Sequence, residues 1–225
     1  SALSDLSSQT SLTSNEGMEI RGTAAVSGIS VTQLSLTLPH SQSGQTTTTH
    51  LRKGESLVLQ QAQESLNFIK SVLRRLQSNV CFDSRETALV FMERILGDIQ
   101  QAKAILAADD QQNLMPLQTG TTEKFAPALP ENMVVECCLR GNNLVARVYW
   151  LKFQRDVKSA GILDAFTKEQ SAGHTLIYNG RLAEVKKEIV YEAALEDLQR
   201  NLVCLHRAAG ICIDIVGQIH AFDCI

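Results

Sequence analysis

The chain has 225 residues, of which 44% are apolar and 5% aromatic, with a formal net charge of −3 and a pI near 6.0. This length suits one large domain or two small intertwined ones, and it can bury a core without disulfide or metal staples. The net charge is slightly negative, so the chain lacks the excess of basic residues that binding to nucleic-acid backbones requires. The low aromatic content disfavours a surface on which bases stack. We therefore expect no nucleic-acid partner.

The six cysteines include no CxxC pair and lack the spacing of a disulfide framework, which favours a reducing, intracellular compartment. No uninterrupted apolar run reaches the roughly 18–20 residues that span a bilayer, and no signal peptide opens the chain. The sequence therefore predicts a cytoplasmic protein without a direct membrane span. It begins with Ser1 rather than Met, so we expect a chain whose natural start has been removed.

Two regions have the pattern of β-strands. Residues 1–17 are rich in Ser and Thr and are predicted to form an arm or linker. Residues 18–53 alternate polar and apolar side chains, which predicts a three-stranded meander. Residues 132–189 hold two hairpin patterns, with turn residues at 141–143 and 179–180. Together, 18–53 and 132–189 predict a β-sheet domain.

Three stretches have the apolar spacing of helices and predict a helical bundle domain made of residues 54–110 and 190–221. The first two, over 55–78 and 84–108, are joined by a short link and are therefore expected to run antiparallel. Asp83 is predicted to cap the second of them.

The last helix, predicted over 190–220, carries four heptads of apolar seam, which is enough for bundle or coiled-coil packing. One interpretation is that this seam packs inside the chain, as most amphipathic helices do. The other is that part of it continues into a partner helix. The candidate zipper residues are Leu195, Leu198, Leu202, Leu205, Val216 and Ile219.

The order of elements predicts an α+β fold, in which an antiparallel helical bundle of three long helices accompanies a segregated antiparallel β-sheet domain. Three helices of this length leave a bundle open. A fourth helix is therefore expected to be missing from this chain or to be supplied by a partner.

Residues 111–131 are polar and contain three of the four prolines, which predicts a loop. An extended apolar segment, FAPALP, lies within it at 125–130. In one interpretation, this segment packs against the bundle. In the other, it is a docking segment for a partner protein. The candidate docking residues are Phe125, Pro127, Leu129 and Pro130.

Sequence motifs for nucleotide, metal or nucleophilic chemistry are absent: there is no P-loop, no GxGxxG after a strand, no GxSxG elbow and no HExxH. Cys137 and Cys138 are adjacent on a strand, so their side chains point to opposite faces and suit structural roles. The scattered histidines and Asp214 are interpreted as solvated or structural side chains. We therefore predict no catalytic residue, no metal site and no cofactor.

The FAPALP segment, the strand with Val134 and Val135 and the hairpin arm with Val148 and Leu151 resemble the Rogdi family. The resemblance runs in order over about residues 18–222 and includes the leucine-rich last helix. It implies a non-enzymatic protein with a helical-bundle part and a sheet part. The family's long N-terminal helix has no counterpart in this chain.

Rogdi-like proteins resemble the small subunit of the RAVE complex, which promotes reassembly of the vacuolar-type proton ATPase (V-ATPase). The resemblance therefore implies Rabconnectin-3-type large subunits and the peripheral sector of the V-ATPase as partners. It also implies a place at endosomal, lysosomal or synaptic-vesicle membranes, with a nuclear pool. The family's leucine zipper corresponds here to Leu195, Leu198, Leu202 and Leu205.

Three functions compete at this point. An adaptor subunit predicts an exposed apolar patch of more than a few hundred Å². A self-associating coiled-coil scaffold predicts a homodimer through the last helix. A small-molecule-binding or hydrolytic domain with a dispersed site predicts a pocket around groups such as Asp214, His174 or Cys138.

Overall fold

A computed structural model describes residues 7–14, 21–39, 46–78, 81–108, 122–153, 175–179 and 181–221. Within these ranges the chain is α+β, with three long helices and one sheet of ten strands. The chain divides into two compact units. The sheet unit comprises Ser1–Leu57, Gln111–Cys137 and Val145–Ala193, and the helical unit comprises Val58–Asp110, Cys138–Leu144 and Ala194–Ile225.

The strands are β1 (Ser7–Ser14), β2 (Arg21–Ser27), β3 (Ser30–Pro39), β4 (Thr46–Leu51), β5 (Leu57–Val58), β6 (Phe125–Ala126), β7 (Met133–Arg140), β8 (Asn143–Phe153), β9 (Thr175–Tyr178) and β10 (Arg181–Ala194). They follow one another across the sheet in the order β6-β4-β3-β2-β1-β10-β8-β7, with β5 paired to β3 and β9 to β10. The neighbouring pairs with a described register are antiparallel.

Strand β1 is polar in sequence, yet it lies in the middle of the sheet between β2 and β10. Its Leu12 is 1% exposed and pairs with Gly22 of β2. A Cβ atom at Gly22 would lie 2.8 Å from the carbonyl oxygen of Ser35 and 3.2 Å from the side chains of Leu12 and Leu36. Glycine at this position therefore lets β1, β2 and β3 pack closely around Leu12.

The sheet unit buries large side chains completely. One core cluster contains Val134, Tyr149, Leu151, Tyr178 and Ala183, with Phe153 packed against it. Elsewhere in the unit, the buried Tyr191 of β10 donates a hydrogen bond of 2.8 Å to the carbonyl oxygen of Thr37 on β3. The tyrosines thus contribute apolar area while their hydroxyl groups find partners.

The helical unit contains α1 (Gln60–Gln77), α2 (Arg85–Ala107) and α3 (Glu196–Ala221). The side chain of Ser84 accepts a hydrogen bond from the backbone N–H of Thr87 and caps α2. One apolar cluster joins all three helices through Val72 of α1, Ile95 and Ile99 of α2, and Ala209 and Cys212 of α3.

The prediction of an antiparallel helical bundle with a segregated β-sheet domain is wrong. Among the described residues, one large antiparallel sheet joins both predicted strand regions, because β1 pairs with β2 and also with β10. The sheet is also not separate from the helices, since Cys138–Leu144 at the tip of the β7–β8 hairpin belongs to the helical unit. There the side chain of Gln61 on α1 bonds both backbone groups of Leu139, at 2.9 and 2.7 Å.

The reason for the error is that strand pairing is non-local. Apolar periodicity shows which face of an element is buried, but it does not show which element covers that face. A strand with a free edge pairs with any suitable neighbour, however distant in sequence. Here the polar residues 7–14, which fall in the predicted arm, provide the strand that unites the two regions.

Two boundaries also differ from prediction. Residues 190–194 continue β10 and are not part of the last helix, because Ile189, Tyr191 and Ala193 alternate inward as a strand requires. The N-cap of α2 is Ser84 and not Asp83. The mixed, glycine-flanked residues 153–173 predict a loop with a possible helical turn, and most of them lie outside the described residues.

Candidate interaction surfaces

The apolar seam of α3 faces the other helices of its own unit. Leu198 is buried, and Leu202, Leu205, Val216 and Ile219 are partly buried. Leu205 packs against the cluster formed by α1, α2 and α3. Leu195 is also buried, but it precedes the helix, and its N–H donates to the carbonyl oxygen of Asn142 at 2.9 Å.

Polar contacts fix how α3 lies on α2. Near one end, Arg85 of α2 donates to the carbonyl oxygens of Ile219 and His220, at 2.7 and 3.3 Å. A cation at the last carbonyls of a helix is favourable, because these groups have no partner within the helix. Toward the other end, Lys103 Nζ lies 3.2 Å from His206 Nδ1. The two helices therefore run antiparallel.

The other faces of the helices expose large apolar side chains. On α3 these are Val203, Ile211, Ile213 and Ile215, with exposed fractions between 36% and 62%. On α1, Leu73 and Leu76 are 48% and 56% exposed. The heptad pattern of the sequence shows only the inward seam of α3, because the exposed Ile211, Ile213 and Ile215 do not lie on one face of the helix.

The predicted docking segment at 125–130 places its two largest apolar side chains in the sheet unit. Phe125 is fully buried on β6, and Leu129 is 7% exposed, whereas Pro127 and Pro130 are exposed. Two side chains hold its backbone: Thr49 Oγ1 donates to the carbonyl oxygen of Pro127 at 2.9 Å, and Arg52 Nε donates to that of Phe125 at 3.1 Å. In this structure Phe125 and Leu129 are therefore core residues.

A partly buried polar network in the sheet unit was missed by the sequence analysis. Arg147 on β8 is 7% exposed and lies 3.8 Å from Glu188 on β10. The hydroxyl group of Tyr149 donates to Glu136 Oε2 at 3.3 Å. The sequence feature that indicates this network is Arg147, a single arginine inside an otherwise apolar strand. A buried charge at such a position is tolerated only when it has polar or charged partners.

The electrostatics of this network suit a structural role. Burial, and secondarily the negative charge of Glu136, raises the pKa of Tyr149 far above its ordinary value. The phenol therefore remains protonated at physiological pH and serves as a hydrogen-bond donor. It is not available as a base under these conditions.

A protein-family model described as "Rogdi leucine zipper containing protein" matches residues 2–190. This match covers most of the chain, from the polar strand β1 to β10. The chain belongs to the Rogdi family. No curated protein matches the chain.

Membership of the Rogdi family indicates a protein-interaction role. The matched range ends at residue 190, before α3 begins at Glu196. The residues to which the family's zipper was assigned, Leu195 to Leu205, thus lie outside the matched range.

Helix α3 is also long and apolar enough to cross a membrane by length and composition. Its most apolar window of 18 residues has a mean hydropathy of 1.5, and 17% of that window is buried. Core helices of water-soluble proteins meet the same criteria of length and composition. The small buried share means that most residues of this window, polar and apolar together, are at least partly exposed.

The groups considered for a dispersed catalytic site have different surroundings. Asp214 of α3 is exposed, Cys138 of β7 is 5% exposed, and His174 lies outside the described residues. Burial raises the pKa of the Cys212 thiol, which favours its protonated form. Within the described ranges, no group of three His, Cys, Asp or Glu side chains could hold a metal ion.

Proposed function

We propose that this Rogdi-family chain is a non-catalytic adaptor subunit of a multi-protein complex. The observation that carries the proposal is the family match over residues 2–190. The exposed apolar side chains of α1 and α3 support it, because apolar surface on a folded protein commonly marks a binding site for another protein.

We further propose that the complex promotes assembly of the V-ATPase. The support is the resemblance of FAPALP and the following hairpin to Rogdi-like proteins, which resemble the small subunit of the RAVE complex. On this proposal, the partners are Rabconnectin-3-type subunits and the peripheral sector of the V-ATPase. The chain then acts in the cytoplasm beside endosomal, lysosomal or synaptic-vesicle membranes, with a nuclear pool.

The test is affinity capture of the tagged full chain from cell lysate under mild detergent, followed by mass spectrometry. We expect Rabconnectin-3-type chains and V-ATPase peripheral subunits to be enriched over an untagged lysate. Recovery of the chain alone, or only with copies of itself, would contradict the adaptor proposal and favour a self-associating scaffold.

A matched variant sharpens this experiment. Ile211→Glu places a charge on the exposed face of α3, where no core contact is lost, and Glu93→Gln changes an exposed side chain of α2. If α3 contributes to the interface, capture falls with the first variant and stays unchanged with the second. Equal capture with both variants would remove the exposed face of α3 from the proposal.

A further inference from the structure

We draw no further inference here: the strongest candidate, the surface patch of exposed apolar side chains on α1 and α3 of the helical unit, carries no proposal because nothing in the described part of the chain shows what covers it.

Discussion

The two units of this chain use their apolar residues differently. In the sheet unit, Phe125, Tyr149 and Tyr191 are at most 1% exposed. All nine exposed large apolar residues within the described ranges belong to the helical unit, among them Leu76 of α1 and Val203 of α3. Among the described residues, the sheet unit has no exposed large apolar side chain, whereas the helical unit retains apolar surface that another molecule can cover.

Because of this difference, we expect folding stability and partner binding to depend on different sets of residues. Substitutions of buried side chains in the sheet unit should cost folding free energy. Substitutions on the exposed faces of the helices should leave folding unchanged and alter binding. The following predictions test that separation, each by urea denaturation of the full chain.

The largest effect is expected for Phe125→Ala. Phe125 is fully buried, and removing a buried phenylalanine leaves a cavity that costs about 3–5 kcal/mol of unfolding free energy. The control is Pro130→Ala in the same segment, where the side chain is exposed and a change within about 0.5 kcal/mol is expected. A loss below about 1 kcal/mol for Phe125→Ala would mean that the segment is not anchored in the sheet unit.

Arg147→Met should give the next largest effect. It removes the buried cation that lies beside Glu188, and breaking a buried ion pair costs about 3–5 kcal/mol. Because Glu188 is 36% exposed and can be hydrated, we expect the lower part of that range or less, about 2–3 kcal/mol. The control is Arg181→Met, whose exposed pair with Glu131 contributes roughly 0–1 kcal/mol.

A smaller effect is expected from the titration of Tyr149. Burial raises its folded-state pKa, so the native state holds this proton to higher pH than the unfolded state does. The stabilisation is fully present below the unfolded pKa of about 10 and is lost as pH rises above it. Unfolding free energy should fall by up to about 1.4 kcal/mol per pH unit there.

The control for this titration is Tyr149→Phe, which removes the ionisable group and keeps the ring. We expect the variant to lose stability less steeply than the parent above about pH 10. It should also lose about 1 kcal/mol at neutral pH, because the hydrogen bond to Glu136 is gone. Identical slopes for the two proteins would mean that other groups govern stability at alkaline pH.

The smallest effect is expected for Ile213→Ser on α3. Ile213 is 52% exposed, so its replacement should change the unfolding free energy by no more than about 0.5 kcal/mol. The matched substitution is Ile95→Ser of α2, which is 1% exposed and should cost more than about 2 kcal/mol. Similar losses for the two would show that the outer face of α3 is covered within the chain.

Local features of the fold were predictable from the sequence. The helix positions 60–77 and 85–107 fall inside the predicted ranges, because their apolar spacing persists without proline. The hairpin turns next to Gly141 and Asn179 were also visible, and both residues have positive φ. The inward residues of α3 carry heptad spacing, but the spacing did not say whether their partner was internal or external.

Other features could not be read from local patterns. The polar strand β1 gives no apolar signal, and its place depends on backbone pairing with β2 and β10. In the sequence, the position of Tyr191 matches both the apolar spacing of a helix and the alternation of a strand. Pairing across the sheet places it in strand β10. The network of Arg147 with Glu188 depends on two strands that lie far apart in sequence.

The sequence by itself determined the α+β composition, the helices and hairpins, and the family to which the chain belongs. These depend on side-chain periodicity, turn chemistry and residue identity, which act over short ranges of the chain. Only the tertiary structure decided that the strands form one sheet and that α1 and α3 each keep large apolar side chains exposed. Both outcomes depend on which distant surfaces meet, and a linear pattern specifies a buried face without specifying its partner.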